Sequence, residues 1–184
     1  ELNREIEDRV LECKEKHGQG ILILGDSHAI DLFGLVASRN EHPFLIGVTQ
    51  GGCRPHHNYD YCHYNRVLNF LNANPNTFMR VIYEQAGIYL LQTNDGIKGN
   101  RPMFAHLPMD ALVSDVVVDI EHIQLTVNYL KRIANLVPVK WFLPRAEPHI
   151  SQKFALRHGC NYNYTFRPNQ YEAFQKLDEY IKEV

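Results

Sequence analysis

Four consecutive apolar residues, Ile21-Leu22-Ile23-Leu24, stop at Gly25 and give way to the polar group Asp26-Ser27-His28. Apolar side chains resume at Ile30, Leu32, Phe33, Leu35 and Val36 with helical rather than alternating spacing. A short apolar run without alternation reads as a strand buried on both faces, and such strands belong to parallel sheets covered by helices. The segment after it reads as a helix, with Asp26 or Ser27 in position to cap its exposed N–H groups. A serine at the carboxyl end of a buried strand stands where open α/β sheets bind their ligands. It also stands in the positive field of a helix N-terminus, which favours a developing oxyanion.

The rest of the chain repeats this alternation. Leu2, Ile6, Val10 and Cys13 share one face of a helix over residues 1–16, which Gly18 and Gly20 end. The helix after Ser27 runs to about Ser38, and a second strand covers 44–48. Gly51-Gly52 then allows backbone torsions that other residues avoid and lets a substrate approach the main chain. Residues 56–65 are aromatic, polar and irregular. A helix with Val67, Leu68, Phe70 and Leu71 inward follows, ending near Asn74-Pro75, and a third strand spans 79–84 and closes in Gln85-Ala86-Gly87. Residues 92–112 read as a long loop, which a compact domain tolerates when it serves function or covers a site. A long amphipathic helix near 115–136 carries an inward stripe of Ile120, Ile123, Val127, Leu130 and Ile133. A fourth strand covers 139–143, and the last helix opens at Asn169 with Phe174, Leu177 and Ile181 on its buried face. This βαβαβαβα order predicts an α/β fold, a three-layer α/β/α sandwich around a mostly parallel, flavodoxin-like sheet. A final helix in such a fold feeds a further strand, and none follows here. The expectation is one domain over residues 1–184 with its last strand missing, truncated at the C-terminal end.

A net charge of −2 without clustered Lys/Arg gives no electrostatic footprint for nucleic acid. No run of about 18 apolar residues is available to span a membrane, and the start at Glu1 leaves room for an export signal or anchor upstream. Cys13, Cys53, Cys62 and Cys160 fit two disulfides or free thiols. Cys53-x-x-His56-His57 followed by Cys62-His63 has metal-binding residue types but no standard zinc spacing. A short Cys53–Cys62 bridge is the other reading, and it would imply an oxidising compartment. Tyr59, Tyr61 and Tyr64 beside His56 and His57 suit either a sugar cleft or the packing of their own loop.

Gly25-Asp26-Ser27-His28, at a strand-to-helix turn, resembles the first block of the SGNH/GDSL hydrolases. More narrowly it resembles the GDSH-type domain fused to membrane acyltransferase-3 proteins and the related acetylesterases. Gly52-Cys53-Arg54-Pro55 and the upstream Cys13 are similar to what those fused domains show. The resemblance implies Ser27 as nucleophile and contributor of one oxyanion N–H, and Gly52 as contributor of the second. In the wider superfamily an asparagine after the third strand donates to the oxyanion; Gln85 occupies that turn here and offers the same carboxamide donor. Asp26 is expected to shape the turn through hydrogen bonds, and His28 to point into the helix. The implied activity is O-acyl transfer or ester hydrolysis on a carbohydrate, with no cofactor and no metal. An acylated carbohydrate or acyl donor, and an upstream membrane acyltransferase domain, are the implied partners. The implied location is periplasmic or extracellular.

Serine is a weak nucleophile without a base, which the superfamily supplies from an Asp-x-x-His pair. Asp119-Ile120-Glu121-His122 has these letters but is expected on the solvated face of its helix. His149, with Glu147 as orienting carboxylate and Ala146 at the minus-three position, is a second candidate. The expectation preferred here is a pair beyond Val184. A domain that keeps the fold and binds carbohydrate without catalysis is the alternative from another class. A phosphate-binding flavodoxin relative is disfavoured, because no phosphate loop follows the first strand.

Overall fold

The computed structural model describes residues 2–39, 41–99, 115–145, 152–159 and 168–184. In chain order its elements are α1 (Leu2–His17), β1 (Gly20–Gly25), α2 (Ser27–Ala37), β2 (Leu45–Thr49), α3 (Tyr64–Ala73), β3 (Phe78–Glu84), β4 (Leu91–Thr93), β5 (Val116–Val118), α4 (Ile120–Ala134), β6 (Val139–Trp141), α5 (Gln152–His158) and α6 (Pro168–Glu183). They form two compact units, Glu1–Gln85 with Gln124–Phe142 and Ala86–Ile123 with Leu143–Val184.

The first unit is the predicted α/β sandwich. Its sheet is wholly parallel in the order β2-β1-β3-β6. Every residue of β1 is buried, as the unbroken apolar run requires of a central strand. Its side chains divide by alternation. Leu22 and Leu24 join Val10 of α1, Val67, Leu68 and Leu71 of α3 and Tyr129, Leu130 and Ile133 of α4 on one face. Ile21 and Ile23 meet Ala29 and Leu32 of α2 on the other. Burying each such aliphatic side chain is worth roughly 1.5–3 kcal/mol, so the run stabilises two layers at once. The order also creates a switch point. The chain leaves β1 for β2 on one side and returns to β3 on the other, and the carboxyl ends of strands at such a point are where open α/β sheets bind ligands.

The second unit is smaller. β4 and β5 pair antiparallel, with Leu91 opposite Val118 and Thr93 opposite Val116. Ile88, Leu90 and Leu91 are buried, as are Phe174, Leu177 and Ile181 of α6, the three residues expected on its inner face. Gly87 lies so close to Pro144 and Phe174 that a Cβ there would come within 2.6 Å of the proline ring.

Several expectations change. The helix predicted over 115–136 starts only at Ile120, because the β-branched run Val116-Val117-Val118 pairs with β4 instead. Ile120 is consequently exposed, not part of the inward stripe, whereas Ile123, Leu130 and Ile133 are buried. The loop predicted from residue 92 begins as strand β4, and a turn at Thr93–Gly96 brings Gln92 back beside Lys98; its residues 100–112 lie outside the described ones. β6 ends at Trp141, although Phe142 still donates its N–H to the Tyr83 carbonyl at 2.7 Å. Phe70 is half-buried and packs against the core beside Phe78, their ring centroids 6.3 Å apart, so its inward facing holds. Among the described residues no helix is long and apolar enough to cross a membrane.

Candidate active site

The carboxyl ends of three strands are brought level by their register: Gly25 pairs with Thr49 on one side and with Glu84 on the other. The residues that follow each strand therefore emerge side by side, Asp26-Ser27 after β1, Gln50-Gly51-Gly52 after β2 and Gln85 after β3. Gly25 is obligatory in this arrangement. Its φ is +150°, and a Cβ there would lie 1.8 Å from the Glu84 carbonyl oxygen.

Ser27 is the first residue of α2 and half-buried. Asp26 holds the turn as the helix cap, its carboxylate accepting from the His28 N–H at 3.0 Å. The turn-shaping role expected of Asp26 is thus seen. A second partner was not read from the sequence: the Arg54 guanidinium lies 3.5 Å from Asp26 Oδ2, and both side chains are no more than 5% exposed. Two buried opposite charges stabilise each other mainly in the sense that removing one leaves the other unpaired. The His28 ring lies on the same carboxylate, Nδ1 3.4 Å from Oδ1, long for a hydrogen bond.

Gly52 has φ +85°, and open space surrounds the point where its Cβ would be. Backbone torsion, not crowding, demands glycine here, and the main chain is left accessible. The loop is pinned from several directions. Gln50 N–H donates to the Gly25 carbonyl at 3.2 Å, and Cys53 N–H to the Gln50 carbonyl at 3.0 Å. Buried Tyr64 donates its hydroxyl to the Cys53 carbonyl at 2.9 Å, and Tyr129 donates to the Tyr64 carbonyl at 2.9 Å. Cys53 and Cys62 form a disulfide with Cα atoms 5.3 Å apart, which decides between bridge and zinc in favour of the bridge; Cys13 is a free thiol, and Cys160 lies outside the described residues.

Gln85 is buried, and its Oε1 accepts from the Tyr83 hydroxyl. That bond orients the carboxamide, and Nε2 has no acceptor among the described residues. An unpaired buried N–H₂ costs on the order of 1–3 kcal/mol. Burial pushes the Tyr64 and Tyr83 phenols well above their ordinary range, so both stay protonated donors. Tyr83 and Gln85 sit two residues apart, on the same side of a strand direction, which is the signal from which the pairing was readable.

Asp119 and His122 do not lie on a solvated helix face. Asp119 is fully buried, caps α4 by accepting from the His122 N–H at 3.2 Å, and meets His122 Nδ1 at 2.9 Å and Lys98 Nζ at 3.0 Å. The reason is the strand before it: β5 delivers Asp119 to the helix start, not to its exposed flank. Ala146, Glu147 and His149 lie outside the described residues. No group of three or more His, Cys, Asp or Glu side chains suited to a metal occurs among the described residues.

No protein-family model, curated protein or solved structure matches this chain.

Proposed function

We propose that this chain is an SGNH-type domain performing serine-dependent O-acyl transfer or ester hydrolysis on a carbohydrate, through a Ser27 acyl-enzyme. The observation that carries the reading is that three unlike groups directly follow register-matched strand ends. Ser27 stands at a helix N-terminus, Gly52 has accessible backbone at positive φ, and Gln85 presents a buried donor without an acceptor.

In this reading Ser27 Oγ attacks the ester carbonyl and its proton passes to a base, which in the superfamily resembled is the histidine of an Asp-x-x-His pair. The Ser27 and Gly52 N–H groups and Gln85 Nε2 donate to the tetrahedral oxyanion, each such donor being worth about 3–4 kcal/mol of barrier. Collapse expels the alcohol with the returned proton and leaves the acyl group on Ser27. A sugar hydroxyl or water then takes the acyl group by the reverse sequence. Arg54 keeps Asp26, and with it the Ser27 turn, joined to the Gly52 loop.

The Cys53–Cys62 disulfide supports an oxidising, periplasmic or extracellular setting, and an upstream membrane acyltransferase domain is the partner we propose for transfer. The test, on a protein extended past Val184 so that the expected base is included, is labelling with a fluorophosphonate probe, read by intact mass and peptide mapping, beside p-nitrophenyl acetate hydrolysis. Labelling confined to Ser27, and both signals lost in Ser27→Ala, is the expected result. No labelling of Ser27, or hydrolysis untouched by Ser27→Ala, sinks the enzyme reading and leaves the non-catalytic carbohydrate-binding domain.

A further inference from the structure

The loop closed by Cys53 and Cys62 carries more than the Gly52 turn needs. Tyr59 stacks on Tyr61 with ring centroids 5.1 Å apart and planes 16° from parallel, and His57 meets Tyr59 at 4.4 Å. Tyr59 is 44% and Tyr61 52% exposed, so this ladder of three rings faces solvent while Tyr64, three residues after Tyr61, is buried. Rings that existed only to pack the loop would be covered by it.

The backbone that carries the ladder is tied at several points. Arg54 and His57 form a two-bond bridge, His57 N–H to the Arg54 carbonyl at 2.8 Å and the reverse at 3.4 Å. Cys62 N–H donates to the Tyr59 carbonyl at 2.9 Å, and His56 Nδ1 lies 3.1 Å from the buried Thr126 hydroxyl. The disulfide ties both ends. Side chains presented in this way lose little freedom on binding, which is what makes a preordered aromatic face effective.

Its chemistry selects the ligand. His56 to His63 contains no aliphatic residue; the surface is aromatic rings edged with hydroxyl, imidazole, amide and carboxylate groups. A lipid or a protein's apolar face asks for aliphatic contact and leaves those polar edges unpaired. A pyranose ring offers the complement, one face of C–H bonds to lie on a ring and a rim of hydroxyls to hydrogen-bond. The loop begins at the disulfide next to Gly52, and its Arg54 is ion-paired with Asp26, so it is joined to the Ser27 turn. We propose that His57, Tyr59 and Tyr61 form a stacking subsite for a pyranose unit, with the outer face of Tyr61 as its floor. This deepens the function proposed above by naming where the carbohydrate rests.

Saturation-transfer NMR on the unmodified 184-residue chain tests it without any turnover. The probes are methyl β-D-glucopyranoside, methyl β-D-galactopyranoside and methyl α-D-mannopyranoside at millimolar concentration, with cyclohexanol as an apolar ring lacking the hydroxyl rim. Ring protons of at least one pyranoside should saturate ahead of cyclohexanol. The apparent Kd should rise about tenfold in Tyr61→Ala and stay within about twofold in Tyr61→Phe, the scale expected for losing one stacking face. Unchanged near-ultraviolet circular dichroism certifies the fold of each variant. No saturation of any pyranoside, saturation indifferent to Tyr61→Ala, or cyclohexanol binding equally well overturns the subsite. The titration does not involve Ser27. Pyranoside binding through Tyr61 with no fluorophosphonate labelling would reject the acyl-enzyme and keep the subsite, and the opposite pattern would do the reverse.

Discussion

Asp26 and Asp119 each stand one residue before a helix, and each carboxylate accepts from a backbone N–H of the first turn, His28 at 3.0 Å and His122 at 3.2 Å. Both also meet the ring of that histidine. They differ in the cation that balances them. Asp26 faces Arg54, 5% exposed, at 3.5 Å, whereas Asp119 faces Lys98, 42% exposed, at 3.0 Å. The shorter contact is the weaker device. Water screens Lys98, and Lys98 is shared with Glu121 at 2.9 Å, while the arginine is buried away from water. The two turns differ in cargo as well. Asp26 is followed by a half-buried serine, Asp119 by an exposed isoleucine without a nucleophile. A capping aspartate with a nearby histidine is therefore a common local solution. It becomes a candidate for chemistry only where a nucleophile and oxyanion donors share it.

The largest effect expected from this contrast concerns activity. Ser27→Ala should remove fluorophosphonate labelling and lower ester turnover by about 10⁴-fold or more, while His122→Ala leaves labelling of Ser27 in place. Loss of labelling in His122→Ala breaks the contrast and makes the second turn part of the chemistry.

Next comes Gln85. In Gln85→Met the rate should fall by about 10²–10³-fold, the usual loss for one oxyanion donor. Its urea midpoint should stay close to the parent's, because removing the unpaired Nε2 is offset by taking the Oε1 acceptor from the buried Tyr83 hydroxyl. A rate within twofold of the parent would show that Nε2 does not face the reacting oxygen.

The ion pairs should separate in stability. Arg54→Met takes the buried cation from beside the Asp26 carboxylate and should cost about 3–5 kcal/mol by urea unfolding. Lys98→Met should cost less than about 1 kcal/mol, being partly solvated. Equal losses would refute the argument from burial.

Alkaline pH gives the mildest probe. Burial raises the Tyr64, Tyr83 and Tyr129 phenols in the folded state, with charge from Asp26 adding to the first two. Above the ordinary phenol value of about 10 the unfolded chain loses these protons and the folded chain keeps them, so their contribution is whole below about pH 10 and declines above it. Absorbance at 295 nm should show the exposed tyrosines ionising first and these three only as the fold is lost. Ionisation of all ten tyrosines in one transition near pH 10, with the fold intact, would contradict their burial.

The sequence by itself determined the layer architecture and the position of Ser27. An apolar run without alternation must be covered on both faces, and helical spacing after it must face a sheet; both signals are local, so periodicity carries them. It also determined that Gly52 follows the second strand and Gln85 the third. Tertiary structure decided what those residues meet. That Val116-Val117-Val118 pairs as a strand, which exposes Ile120 and buries Asp119, depends on a partner strand at Leu91–Thr93 that no window around residue 119 contains. The Arg54–Asp26 pair, the Tyr64 bond to the Cys53 carbonyl and the Cys53–Cys62 bridge likewise join separate stretches of chain. Periodicity tells a residue which face of its own element it occupies. Only the register of neighbouring strands tells it which distant group lies opposite, and at the ends of β1, β2 and β3 that register turns a serine, a glycine and a glutamine into one candidate site.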